Sequence, residues 1–176
     1  DIAVLAHKNK VKTVMVSNGY INREPLLSLC PYLDAANIDL KCFDNEAYKQ
    51  LTSGGLHPVL ETLKTLKEKN IWLEVTSLLI PGYNDGTEMM EKMCAWLVDN
   101  NFSDTPLHFS RFFPTYRLTD RPATPERSLL QAKEIAERAG IKYVYMGNLP
   151  HLRGENTFCP HCHTLLVERQ GFDVTS

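Results

Sequence analysis

Asn37-Ile38-Asp39-Leu40-Lys41 decides how this chain is read. Side chains alternate across a β-strand, so Asn37, Asp39 and Lys41 share one face and Ile38 and Leu40 the other. A parallel strand covered on both faces is apolar nearly throughout. Three polar groups on one face at the C-terminal end of such a strand need a use, and that end is where α/β barrels build their sites. Taken alone, the segment fits a solvated edge strand with a surface ion pair equally well.

Outward from this strand, the pattern alternates. Residues 11–16 read as a strand closed by the turn Ser17-Asn18-Gly19. A helix is expected around 25–30, and Asp44 caps another that runs through Glu46 and Ala47 to Leu51. Ser53-Gly54-Gly55 breaks it, and Val59, Leu60, Leu63 and Leu66 mark a helix over 57–69. An apolar strand at 71–80 ends in Pro81-Gly82. The next helix spans 86–100, with Met89, Met93, Trp96 and Leu97 inward. A short strand at 107–109 leads into a long loop. Thr124 then caps a helix with Pro125 at its first position, and Gly140 follows its end. Residues 141–146 form the last strand of the series. Such alternation implies parallel strands joined by right-handed crossovers. No Gly-x-Gly-x-x-Gly and no phosphate loop occurs, so nucleotide-binding open sheets lack support.

With 176 residues, 43% of them hydrophobic, the chain has the material for one domain. A net charge of -2 gives no general attraction to nucleic acid or an anionic membrane. The apolar runs are too short to span a membrane. Five cysteines at scattered positions do not suit a disulfide framework, so a reduced, cytoplasmic setting is expected. The chain opens on Asp1 and runs into helix-like residues without a start signal, as a piece of a longer protein would.

The strand ends are polar as a set: Ser17 and Asn18, Asp39 and Lys41, Glu74 and Thr76, His108 with Ser110 and Arg111, and Gly147 with Asn148. Singly, each reads as a surface group. Together they read as a ring around a polar ligand, because a structural barrel core carries branched apolar residues instead. The tail is a separate station. Cys159 and Cys162 form a Cys-x2-Cys knuckle, a common pair of metal ligands, and His161 and His163 are close by. Zinc needs four ligands, so only half a site is explicit. Cys30, Cys42 and Cys94 read as small buried residues.

Several stretches resemble a known family. Ser17-Asn18-Gly19, Asp39-Leu40-Lys41 and Pro81-Gly82-Tyr83-Asn84-Asp85 look like stations of the radical S-adenosylmethionine activating enzymes, the pyruvate formate-lyase activase type. Leu107–Pro114, Tyr143–Asn148 and Asn156–Cys162 resemble the radical enzyme of the system that includes AMMECR1-like and Memo-like proteins. The resemblance covers nearly the whole chain. It implies the C-terminal part of an incomplete six-stranded (β/α) barrel over residues 1–149, with a Cys-x2-Cys tail over 150–176. It further implies S-adenosylmethionine and a [4Fe-4S] cluster whose ligands lie outside this chain. The cluster would cleave S-adenosylmethionine to methionine and a 5′-deoxyadenosyl radical that abstracts hydrogen from a substrate.

On this resemblance Ser17, Asp39 and Lys41 would hold the methionine end, and Asn18 is a further cofactor-binding residue. His108 would lie near the ribose or the methionine part, and Gly147 and Asn148 on the adenosine side. The implied partners are an electron donor and a substrate, with an AMMECR1-like or Memo-like protein as the candidate. The cluster loop Cys-x3-Cys-x2-Cys and a Gly-Gly-Glu station are absent from the sequence, and Val16 stands where the activases place an acid. Two other readings stay open: a metal-binding interaction module built on an α/β scaffold, and a (β/α) barrel lyase or aldolase using Lys41 as a Schiff base.

Overall fold

The structure, a computed structural model, describes residues 2–149, 154–171 and 173–175. Its centre is a parallel five-stranded sheet in the order β1-β2-β3-β4-β5, formed by Val14–Ser17, Ala35–Asp39, Trp72–Leu79, Leu107–Arg111 and Val144–Gly147. The chain divides into two compact units, Asp1–Thr76 and Ser77–Ser176. Among the described residues no helix is long and apolar enough to cross a membrane.

In the first unit, β1 and β2 pair in parallel, with Val16 opposite Asn37 and Ser17 opposite Ile38. The next register sets Asn37 beside Glu74 and Asp39 beside Thr76. Neighbours in register share a face, so one face carries Val16, Asn37, Asp39, Glu74 and Thr76. The other carries Ile38 and Val75, which are buried. Helix α1 (Ile2–Lys8) precedes β1, and α2 (Arg23–Leu29) continues into a short 3-10 turn, Cys30–Tyr32. Helix α4 (Leu56–Glu68) buries Val59, Leu63 and Leu66. It covers the apolar face: a Cβ built on Gly19 would lie 2.8 Å from Ile38 and 3.2 Å from Val59. Gly19 has φ +69°, which a side chain rarely adopts, and the Thr62 hydroxyl donates to its carbonyl at 2.7 Å. Position 19 therefore accepts only glycine. Val14 and Val16 are exposed on β1, the outer strand of this order.

Helix α3 (Asn45–Thr52) starts as expected, with Asp44 Oδ1 accepting from the Ala47 N–H at 2.8 Å. Asp44→Ala should cost about 1 kcal/mol in chemical denaturation through the lost cap. A change within error would show that tertiary packing alone holds this helix.

In the second unit, helix α5 (Thr87–Asp99) buries Met90, Met93, Cys94 and Leu97. Met90 takes the inward position expected of Met89. Helix α6 (Glu126–Ala139) packs on β4 and β5 and ends at Gly140, whose φ of +108° closes it. The expected cap at Thr124 is not observed. Pro125 occupies the cap position, and Thr124 is buried between strand ends. Its hydroxyl donates to the Leu79 carbonyl at 2.5 Å and accepts from the Phe112 N–H at 2.9 Å. The hydroxyl serves two main-chain groups in the interior, a stronger demand than a solvated helix start. The tail adds two antiparallel pairs: β6 (Thr157–Phe158) with β7 (Leu165–Val167), and β8 (Arg169–Gln170) with β9 (Asp173–Val174).

Candidate functional site

The polar face of the first unit contains a compact ion pair. Lys41 Nζ lies 2.6 Å from Asp39 Oδ2, and each side chain keeps about a third of its surface exposed, 31% and 32%. Ile38 and Leu40 are fully buried on the other face, so the alternation expected over 37–41 is the one observed. The ladder continues past Asp39, because the Leu40 N–H donates to the Thr76 carbonyl at 2.9 Å. Beside the pair, the Thr76 hydroxyl donates to Asn37 Oδ1 at 2.8 Å. The pair itself offers one cation and one anion, with neutral donors and acceptors beside it, a set suited to a zwitterionic ligand.

One residue beneath this pair was not legible from its position in the sequence. Tyr48 of α3 is buried, and its hydroxyl oxygen accepts from the main-chain N–H of Lys41. Burial pushes its phenol up to about 12. Cys94 behaves alike, its buried thiol pushed up to about 12. Both groups favour the folded state below their ordinary values of 10 and 9, and that contribution is lost as pH rises towards 12. Alkaline unfolding between about pH 9 and 12 is the expected result, followed by circular dichroism, with Cys94→Ala making the decline shallower. A flat profile over that range would count against both burials.

Ser17 and Asn18 are engaged in the turn after β1. Ser17 Oγ accepts from the Gly19 N–H at 3.1 Å, and Asn18 Oδ1 from the Tyr20 N–H at 3.0 Å. The register places Ser17 on the side of Ile38 and Val16 on the side of Asp39. Ser17 therefore does not share the face of Asp39, although its place at a polar strand end suggested that it would.

In the second unit, His108 pairs in register with Tyr145 and Ser110 with Gly147. The His108 and Tyr145 rings stack at 5.1 Å. A Cβ on Gly147 would sit 3.4 Å from Ser110 Oγ, so a side chain there would crowd that hydroxyl. Asn148 adopts φ +62° and donates from Nδ2 to the Arg111 carbonyl at 3.2 Å. Arg111 Nε donates to the Thr124 carbonyl at 2.9 Å. The Pro81-Gly82-Tyr83-Asn84-Asp85 stretch is held by its own bonds. Buried Asn84 accepts from Ile80 N–H at 2.6 Å and donates to the Leu78 carbonyl at 2.7 Å, while Asp85 accepts from Gly82 N–H at 2.7 Å.

Cys30, Cys42 and Cys94 are buried, as expected. Cys159 and Cys162 lie on the β6–β7 hairpin, and the Cys162 thiol is held below its ordinary range by hydrogen bonds from Thr164 and Cys159. Among the described residues no group of three or more His, Cys, Asp or Glu side chains comes together to hold a metal. The zinc suggested by the tail thus finds no completed ligand set, and no cysteine arrangement here fits an iron-sulfur cluster.

No family model matches the chain. An uncharacterized protein of Methanocaldococcus jannaschii is 46% identical over 174 residues, 99% of this chain and 51% of that protein. The 4-hydroxyphenylacetate decarboxylase activating enzyme of Clostridium scatologenes is 29% identical over 110 residues, 61% of this chain and 35% of that enzyme. The chain therefore spans between about a third and a half of these relatives' lengths. A domain of the pyruvate-formate lyase-activating enzyme from Bacteroides vulgatus superimposes with TM-score 0.73 at 14% identity, over 84% of this chain and 88% of that one. A radical SAM methyltransferase from Sphaerobacter thermophilus gives 0.62 at 14%, over 89% of this chain and 46% of that one. The fold is that of the radical S-adenosylmethionine enzymes. In sequence, the chain is similar to activating enzymes over part of their length.

Proposed function

We propose that this chain forms part of a radical S-adenosylmethionine enzyme of the activating type. The observation that carries the reading is the Asp39–Lys41 pair, 2.6 Å apart on the polar face at the end of β2, in a fold shared with such enzymes. When bound, S-adenosylmethionine would supply the 5′-deoxyadenosyl group that abstracts hydrogen. Its amino-acid end carries an ammonium and a carboxylate. Asp39 would accept from the ammonium and Lys41 would donate to the carboxylate, so two intermolecular pairs replace one internal pair with no change in net charge. Tyr48 holds the Lys41 main chain in place from below. Ser17 and Asn18 shape the turn beside it. For His108 we propose a place near the ribose or methionine part, and for Gly147 and Asn148 the adenosine side.

The 2.6 Å contact also weighs against a Schiff-base lysine, because Lys41 Nζ is engaged by the Asp39 carboxylate instead of standing open to attack a carbonyl. The [4Fe-4S] ligands would come from outside this chain. We further propose the system of AMMECR1-like and Memo-like proteins as the setting, a protein of that type as the substrate, a separate electron donor, and a cytoplasmic location. The test is direct. Full-length protein, reconstituted with iron and sulfide without oxygen, should release 5′-deoxyadenosine from S-adenosylmethionine when given a strong reductant. No release from protein carrying a spectroscopically intact cluster would overturn the reading.

A further inference from the structure

Two thiols meet at the tip of the tail hairpin. The Cys159 N–H donates to the Thr164 carbonyl at 2.8 Å, and the His163 N–H to the Cys159 carbonyl at 2.9 Å. His163 takes φ +55° to close this turn. The turn brings Cys162 Sγ within 3.2 Å of Thr164 Oγ1 and into hydrogen-bonding contact with the Cys159 thiol. Cys162 is exposed and Cys159 half-buried. Two cysteines held on one tight hairpin turn need little backbone movement to reach disulfide geometry. The remaining cysteines, Cys30, Cys42 and Cys94, are buried and take no part.

The half-buried member of the pair opens onto a groove. Cys159 lines a cavity of about 630 Å³ together with Lys133, Lys142, Tyr145 and Asn156. Asn156 is only 4% exposed. Its Oδ1 accepts from the Arg169 N–H at 2.8 Å, but its buried Nδ2 has no partner. A buried amide donor left unpaired is costly and points to a missing acceptor. The two lysines hold carboxylates of their own, Glu137 at 3.8 Å and Asp104 at 2.6 Å, and each ammonium has further donors to offer. One buried donor without an acceptor, beside two ammonium groups, suits a ligand that carries carboxylates or peptide carbonyls.

We propose that Cys159 and Cys162 are a reversible dithiol–disulfide pair, oxidised by exchange with a small peptide disulfide seated in the adjoining groove. The Cys162 thiolate attacks one sulfur of the incoming disulfide, forming a mixed disulfide and releasing the first small thiol. The Cys159 thiolate then attacks Cys162 Sγ, closing the intramolecular bond and releasing the second. Two protein thiols and one disulfide become one protein disulfide and two small thiols, so electrons and protons balance without another reactant. The accessible sulfur attacks first, and the half-buried one resolves. This inference does not depend on the radical reading.

The probe is glutathione. Full-length protein is equilibrated without oxygen in mixtures of reduced and oxidised glutathione, acid-quenched, alkylated and digested. Mass spectrometry then follows the peptide that contains residues 159 and 162. The expected result is a peptide lighter by two hydrogens, whose proportion tracks the glutathione ratio reversibly. Cys159→Ser should trap a glutathione adduct on Cys162, and Cys162→Ser should slow adduct formation by about tenfold or more, since the buried thiol must then react first. Two thiols that stay alkylatable at every ratio would overturn the proposal. So would stoichiometric zinc or iron that protects both from alkylation until chelated, which would make the hairpin a metal knuckle.

Discussion

Lys41→Ala in the full-length protein should weaken S-adenosylmethionine binding about ten- to a hundredfold, measured by equilibrium dialysis. The ammonium sits at the end of β2, 2.6 Å from Asp39 and about one-third exposed, so it is both positioned and reachable. A hydrogen bond to a charged group contributes about 1.5–3 kcal/mol, and each 1.4 kcal/mol is a factor of about ten. The protein itself should barely notice. A partly exposed ion pair is worth only about 0–1 kcal/mol to stability, so the melting temperature of the variant should stay close to that of the parent. Lys41→Arg keeps the charge and should recover part of the affinity, with the remainder lost to the different reach of the guanidinium. Unchanged affinity in Lys41→Ala would make the pair an ordinary surface contact. That outcome is separable from a failure of the redox proposal, whose cysteines lie on the tail hairpin.

Phe109→Ala should destabilise the fold by about 3–5 kcal/mol, the range for truncating a buried aromatic side chain. Phe109 is fully buried in β4 and pairs in register with Met146, also buried, on the face that α6 covers. The loss combines transfer of the ring to water with the cavity left under a helix that cannot fully collapse. Against a total stability of about 5–15 kcal/mol, this is a large share. It should appear as a lower urea midpoint with an unchanged slope. His108 and Ser110 stand on the opposite face of the same strand, so replacing either by alanine should cost far less. A Phe109→Ala midpoint within about 0.5 kcal/mol of the parent would contradict the burial.

The amino-acid sequence by itself determined the elements and their polarity. The alternation over 37–41, the cap at Asp44, the helical spacing of Val59, Leu63 and Leu66, and the stop at Gly140 are all local. Each depends on residues within a turn or two, where strand and helix periods and cap chemistry act directly. Helical crossovers between strands then imply parallel pairing. The burial of Cys30, Cys42 and Cys94 follows from the same patterns.

Only the tertiary structure decided which face each strand end presents and which polar group answers which. Ser17 turned out level with Ile38, in a register between β1 and β2 that Ser17 itself does not announce. Thr124 looked like a helix cap, yet it serves the Leu79 carbonyl, 45 residues away in sequence. Tyr48 bonds the Lys41 main chain, a pairing that its place in a helix does not announce. A buried polar group must be satisfied by whatever the folded chain brings near it. Its partner is therefore a property of the crossover path and strand register, which no short window of sequence contains.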